Sequence, residues 1–467
     1  MRASILLASG LLTALLAPAA LAQQAEPGSA ELRERLEAQE ERLRELENRQ
    51  DEEQALEQRL EEQQERIDEL ESSRFDSSGS GGRGPDVNVS GFINTGFQQT
   101  NLGPNDPVYR ENSGATDAEV RATNFTSAGL QVDGSITNDL SGTVQFLAEG
   151  QEGLDARMEW AYLTYDLASS VEVRAGRIVA PFYMNSQSFY VGYSHPWVEP
   201  PAEVYDTAAV RTFDGADISW QFNTGEIAHT LNYYAGSAPV DTLIQGNNVI
   251  FDVHNLHGLN LSSTYGNLNT WLSYNNGDVG LDLPSACISN PGPRPPNPPP
   301  AGTGCTTVGN FNQYSLENDD AYFGSVGFEY DNGNVLFTAE HIELDIKGWF
   351  PKSRAHYATL GYRFGAWMPH LTWANTESDS FNEVEGDLGA ETLYNNLKSN
   401  QSSWTLGLRG DVAPGLALKA EVSTYYDIGE RNAGLAPNPK DSGLFSGAIP
   451  DDEEEPMVFR LAANLVF

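Results

Sequence analysis

Several charged residues of this chain come in pairs two positions apart. Arg157 and Glu159, Glu172 and Arg174, and Lys419 and Glu421 each flank one uncharged residue. In an extended strand that spacing puts both charges on one face and the residue between them on the other. The chemistry open to such pairs is electrostatic. Fixed charges of both signs along a wet wall can sort ions and orient dipolar solutes, and Arg363, Arg409 and Arg460 fall on the same kind of position. Taken singly, each reads equally as a solvated or cross-strand-paired charge. Catalysis has less to stand on. His195, His229, His254, His257, His341, His356 and His370 show no HExxH or comparable metal spacing, and no GxSxG elbow or P-loop occurs. The sequence therefore offers no catalytic residue, no metal ligand and no cofactor site.

The elements that must position these charges are strands. Beyond Val87 the recurring unit is an alternating run of about ten residues closed by a turn. Val144, Phe146 and Ala148 alternate with Thr143, Gln145 and Glu149; Met158, Trp160 and Tyr162 alternate with Arg157, Glu159 and Ala161. Leu416, Leu418, Ala420 and Val422 alternate with Lys419, Glu421 and Ser423. Seven short connections interleave with eight longer ones, near 98–118, 150–154, 181–208, 238–255, 278–317, 346–352, 377–401 and 428–455. Short turns on one side and long loops on the other predict an all-β fold, a 16-stranded antiparallel transmembrane β-barrel over 87–467, with both chain ends on the short-turn side. The apolar parity then faces lipid and the charged parity water, since a lipid-facing Arg or Lys costs about 2–4 kcal/mol at the midplane. Trp160, Tyr162, Tyr233, Trp271, Tyr330, Tyr362, Trp404 and Tyr426 suit interfacial girdles.

One stretch breaks the pattern. After the strand Val171-Glu172-Val173-Arg174-Ala175, the segment Gly176-Arg177 leads through Pro181-Phe182 into a loop crowded with Tyr183, Phe189, Tyr190, Tyr193, Pro196, Trp197, Pro200, Pro201 and Tyr205. It is too aromatic for a solvated loop and too rich in proline for a helix or central strand. Such a loop needs a surface to pack on, and in a wide barrel that surface is the inner wall. The expected result is a constriction over 181–208, carrying Tyr190, Tyr193, Glu199, Glu203 and Asp206, with Arg211 at its exit. Arg409, Lys419 and Arg460, on three adjacent strands, would form one basic wall opposite the acidic loop. The loop aromatics read better as anchors to the wall than as platforms for a solute.

The remaining features concern address and assembly. Arg2, an apolar run over 5–16 and the site Ala20-Leu21-Ala22 read as a signal peptide, 1–22. No later run reaches the roughly 18 apolar residues that a membrane helix needs. Within 23–74, Leu32, Leu36, Leu43 and Leu46 and then Leu56, Leu60, Ile67 and Leu70 keep a heptad seam interrupted by a stammer, a periplasmic α-helical coiled coil. A Gly/Ser linker follows over 75–86. Cys287 and Cys305 flank a proline-rich stretch and are expected to form a disulfide in an oxidising compartment. A net charge of −39 with only five lysines excludes nucleic acid as a partner. The acidic run at 451–455 reads as solvated, or as a divalent-cation site shared with lipopolysaccharide. Phe459, Leu461, Ala463, Leu465 and the terminal Phe467 share one parity, the form read by the outer-membrane barrel assembly machinery.

Together the signal peptide, the heptad segment, sixteen strand-like segments, the Gly176-Arg177-(x)3-Pro181-Phe182 lead-in and Phe467 resemble the trimeric porins of Gram-negative bacteria. The architecture is most similar to porins with an N-terminal coiled coil, the DcaP-like dicarboxylate channels, and to phosphate-selective porins. The resemblance implies a homotrimer in the outer membrane, in contact with lipid and lipopolysaccharide, with one pore per subunit for small hydrophilic solutes narrowed by the third loop. Phosphate-selective porins carry a ladder of arginines and lysines, whereas this third loop carries Glu199, Glu203 and Asp206 against Arg211 alone. That departure favours an unselective or mildly cation-preferring channel over an anion-selective one. A membrane anchor that tethers the envelope through the coiled coil is the alternative of another class.

Overall fold

The computed structural model describes residues 86–101, 108–109, 126–150, 153–208, 210–244, 247–281, 286–287, 308–309, 314–379, 390, 394, 398, 400–427, 445–446 and 456–467. The expected signal peptide and coiled coil, nearly all of the linker, the Cys287–Cys305 pairing and the acidic run 451–455 lie outside the described residues.

Sixteen antiparallel strands close into one barrel. They are β1 (Asp86–Thr100), β2 (Ser127–Ser135), β3 (Leu140–Glu149), β4 (Ala156–Ala168), β5 (Val171–Val179), β6 (Thr212–Thr224), β7 (Ile227–Ile244) and β8 (Asn247–Tyr265). Then follow β9 (Leu268–Leu281), β10 (Leu316–Asp331), β11 (Val335–Ile346), β12 (Ser353–Tyr362), β13 (Trp367–Ser378), β14 (Gln401–Ala413), β15 (Leu416–Tyr426) and β16 (Met457–Val466). Each pairs with its neighbours in the chain, and β1 pairs with β16 to close the ring. Two short ladders, Val108–Tyr109 with Phe445–Ser446 and Ala286–Cys287 with Val308–Gly309, stand outside it.

Closure leaves no unpaired edge, and alternation sorts the side chains into two environments. Phe97, Leu130, Phe146, Leu272, Val326 and Leu406 are exposed on the outer face, whereas Gln98, Gln145, Asp217, Ser273, Thr359 and Asn464 are buried inside. A soluble protein has the reverse arrangement. The seven short connections all occur, and in five of them a glycine takes the left-handed conformation: Gly225, Gly266, Gly333, Gly365 and Gly415. Both barrel ends meet at that rim, where the Gly91 and Phe467 backbones exchange hydrogen bonds of 2.9 and 3.1 Å. None of the described helices is long and apolar enough to cross a membrane.

Two expectations need correction. The expected loop at 238–255 is a hairpin instead: β7 and β8 stay paired from Ala238↔Val253 to Ile244↔Asn247. Val240, Leu243, Ile244, Val249, Ile250 and Phe251 are strand formers, and nothing among them breaks a ladder once Pro239 is passed. The second concerns parity. Trp160 pairs with Gln145 and Met158 with Phe146, so Glu159 is an extra residue, a β-bulge, that shifts every later side chain of β4 by one face. Trp160 and Tyr162 consequently point inward. Trp271 does too, because Leu272 takes the outward position and the Trp271 indole donates to inward Ser325 Oγ at 2.9 Å. None of the three belongs to an outer girdle.

Candidate functional site

The chain between β5 and β6 folds into the bore and is fastened there along its length. It has little structure of its own: 3-10 turns at Ser186–Ser188 and Gly192–Ser194 and one helical turn, α1 (Ala202–Tyr205). Its order comes from the wall. Asn260 Nδ2 on β8 donates to the Pro181 carbonyl at 2.6 Å, and Ser325 Oγ on β10 to that of Phe182 at 2.7 Å. The Met184 amide donates to Glu340 Oε1 on β11 at 2.7 Å, and the Tyr205 hydroxyl to Glu340 Oε2 at 2.8 Å. Asn94 Nδ2 on β1 reaches the Tyr190 carbonyl at 2.8 Å. The Trp197 indole donates to Thr359 Oγ1 on β12 at 3.0 Å and to Thr372 Oγ1 on β13 at 2.9 Å.

Aromatic packing completes the attachment. Phe182 stacks on Phe323 with ring centroids 4.9 Å apart, Tyr183 meets Tyr205 at 4.9 Å, and Trp197 sits edge-on to Tyr357 at 5.3 Å. These rings, with Ile178, Val204, Phe213, Tyr234 and Ile342, form a hydrophobic core inside the barrel on the side of β5–β12. Phe182, Tyr183, Trp197 and Tyr205 thus pack on the wall or on one another.

The basic wall opposite an acidic loop does not exist in the expected form. Lys419 is buried, and its ammonium donates to the carbonyls of Gly192 and Trp197. Arg409 donates to the His195 carbonyl at 2.8 Å and lies over the Tyr193 ring at 4.9 Å. Glu421 accepts from the Val198 amide at 2.8 Å. Glu203 is buried too, taking a bond of 2.9 Å from Gln401 Nε2 on β14. Lys419, Arg409 and Glu421 latch loop backbone to wall, and Glu203 fastens the loop through its own side chain; charge on a short strand repeat looks the same in sequence whether it meets water or a carbonyl.

Other expected residues do keep carboxylate partners within the bore. Arg157 is bridged to Glu149 and, at 2.9 Å, to Glu159. Arg174 pairs with Asp217, lies 3.8 Å from Glu172 and sits over the Tyr162 ring at 5.3 Å. Arg211 donates to the Tyr205 carbonyl at 2.7 Å, stands 3.9 Å from Asp206 and covers Phe189 at 3.8 Å. Arg363 pairs with Asp331 at 2.6 Å. Arg460 bonds Gln98, Ser423 and Tyr425 and lies 4.0 Å from Glu199. Arg177 is a correction: it shares the outward parity of Val173 and Ala175 and pairs at 2.8 Å with Asp214 on the outer face of β6, so it does not line the bore.

His195, on the loop, has its acidity set by this environment. Burial, then the nearby Lys419 and Arg409 charges, hold its pKa down from 6.5 to about 4, against the opposing pull of the Ser188 carbonyl. The ring is therefore neutral at pH 7, and its Nε2–H donates to the Ser188 carbonyl at 2.7 Å. Glu340, Asp217 and the Thr359–Thr372 pair were not singled out from sequence. The only available signal was an acid or hydroxyl on the inward parity of an alternating run, as in Thr338-x-Glu340-x-Ile342. Among the described residues no group of three or more His, Cys, Asp or Glu is placed to hold a metal ion.

Neither a family model nor a curated protein sequence matches the chain. Solved structures do. The outer membrane channel DcaP of Acinetobacter baumannii superposes with a TM-score of 0.50 at 13% identity, covering 82% of this chain and 98% of that one. The fold is that of the outer-membrane porins. An anion-selective porin from Comamonas acidovorans matches with a TM-score of 0.49 at 13% identity, over 82% of this chain and 100% of that one. The trimer form of OmpT, an outer membrane protein of Vibrio cholerae, gives 0.49 at 13% identity over the same shares. At such identities the likeness to DcaP fixes the architecture of this barrel and leaves its function to be argued from its own residues.

Proposed function

We propose that the protein is an outer-membrane porin, a passive diffusion channel for small hydrophilic solutes or ions, narrowed by the loop between β5 and β6. The observation that carries this reading is the seating of that loop: its backbone is bonded to inward side chains of β1, β8, β10, β11 and β15, on the water side of a barrel whose other side is apolar. A loop held in this way sets a fixed aperture without plugging the bore by its own fold. The protein is a channel rather than an enzyme, and it works as a homotrimer. The outward positions of β16 and β1–β4 carry no charged side chain among the described residues, and Gly91, Ala128, Ala148 and Ala161 keep that wall smooth enough for a second copy.

Selectivity follows from the charge pairs. Arg157, Arg174, Arg211, Arg363 and Arg460 each lie within 4.0 Å of a carboxylate, which cancels the field an anion would seek. The channel is accordingly unselective or mildly cation-preferring, and a dicarboxylate or phosphate channel is the weaker reading. Reversal potentials in a salt gradient test this directly. A potential of the sign set by cation flow supports the proposal; strong anion preference overturns it.

A further inference from the structure

The hairpin β11–β12 sets two histidines side by side on the outside of the barrel. His341 and His356 are direct register partners, and both share the outward parity of Ala339 and Ala358. Their ring centroids lie 5.8 Å apart, and Trp373 on β13 backs the His356 ring at 5.0 Å. Sequence spacing hides the pair, because the chain runs through the 346–352 connection before the second histidine returns beside the first. Val326 and Asn375 flank them in the same row, and Gly324, Glu343, Arg354 and Glu377 form the next row toward the long-loop rim.

Two imidazoles on this face need a physical reason. An ionisable side chain on a surface that meets hydrocarbon ordinarily has a partner. Neither ring has one: among the described residues no hydrogen bond or ion pair engages His341 or His356, and His356 Nδ1 is buried without a partner. By contrast, His229 bonds Ser263 Oγ at 2.7 Å and His257 the Asn255 carbonyl at 2.8 Å. Neutral imidazole nitrogens are the donors that suit first-row transition ions. Two imidazoles sharing one such ion, each with a nitrogen about 2.0–2.1 Å from it, have centroids no more than about 6 Å apart. The observed 5.8 Å lies within that span, so side-chain rotation alone brings both nitrogens to the ion.

We propose that His341 and His356 form a binding site for a divalent transition-metal ion, Cu2+ or Zn2+, on the outer face of the barrel. No third His, Cys, Asp or Glu is in place among the described residues, so the ion keeps water in its remaining positions and exchanges readily. Glu377 is the carboxylate best situated to join it. That residue lies diagonally across from His356, and its register partner Arg354 is engaged by Asp379 instead. Hard ions such as Mg2+ have no claim on the pair, because they take oxygen ligands. The site lies on the outer face, apart from whatever the bore conducts.

Electron paramagnetic resonance of the purified, tag-free full-length protein with one equivalent of Cu2+ tests this. The spectrum should carry the hyperfine pattern of two imidazole nitrogens on one ion, unchanged by millimolar Mg2+. His341→Gln and His356→Gln should each weaken Cu2+ binding by at least about tenfold, whereas His254→Ala/His257→Ala, on the exposed side of β8, should match wild type. A pattern of one nitrogen or none, displacement by Mg2+, or undiminished binding by either single variant overturns the inference. The wild-type spectrum decides against it without any variant, and either glutamine variant suffices if the other does not fold. A protein that conducts but shows no two-nitrogen signal loses this inference alone, whereas one that does not conduct loses the channel reading.

Discussion

The Val198 amide donates to Glu421 Oε1 at 2.8 Å, across 223 residues of sequence. On the same strand, two residues earlier, Lys419 holds the carbonyls of Gly192 and Trp197. One acid and one base on a single face of β15 thus satisfy three backbone groups of the loop, two carbonyls and one amide. The inner wall supplies the hydrogen bonds that a helix or sheet would have given this proline-rich segment.

Breaking that latch should loosen the aperture. Lys419→Met leaves the Gly192 and Trp197 carbonyls without their donor, a loss of about 1–3 kcal/mol for each in the seating of the loop. Single-channel records of this variant should show larger or fluctuating conductance, with the barrel still resisting SDS at room temperature. Lys419→Met/Glu421→Leu should be noisier still, because the Val198 amide then loses its acceptor as well.

Protonating His195 should act on the same loop. Its pKa in the folded loop is about 4, against an ordinary 6.5, so the unseated loop binds the extra proton more readily. The stabilisation is complete above pH 6.5, is lost as pH falls toward 4, and changes no further below that. Current fluctuations should therefore rise between pH 6.5 and 4, and His195→Phe should flatten that dependence. A pH response unaltered by this substitution would count against the assignment.

Charge pairing in the bore predicts a selectivity change. Asp217→Asn removes the carboxylate that neutralises Arg174, leaving a guanidinium beside Tyr162 and half-exposed Glu172. The reversal potential in a salt gradient should move toward anion preference, and Arg174→Gln/Asp217→Asn should restore the original value. No shift in the single variant would mean that this part of the wall lies off the conducting path.

Gly176 is constrained by backbone. Its φ is +137°, and a Cβ there would lie 2.3 Å from the Ala161 carbonyl oxygen. Gly176→Ala adds a contact that no rotamer relieves to a conformation costing about 1–3 kcal/mol. The folded, heat-modifiable fraction on gels should fall, whereas Gly134→Ala, where a Cβ meets nothing within 4 Å, should leave it unchanged.

The barrel was legible in sequence because alternation and turn chemistry are local. Val144-Gln145-Phe146 already states which side chains face out, and glycine at 225, 266, 333, 365 and 415 marks the turns. Two local irregularities were not legible. The bulge at Glu159 leaves no trace in residue type, yet it turns Trp160 and Tyr162 from girdle to lumen. The β7–β8 hairpin hides behind Pro239 and a run of Asn that reads as loop. The candidate site was legible as a set of residues and not as a set of contacts. Lys419 and Arg409 were expected to face solute, and the decision between solute and carbonyl was made by where a distant loop settles.

Planar-bilayer recording from the purified protein is the measurement that reaches furthest. Stepwise, ohmic currents with a weak cation preference in a salt gradient are the expected result. A membrane that stays silent with folded protein inserted, or one that passes anions almost exclusively, would contradict a water-filled bore whose arginines are already matched by carboxylates.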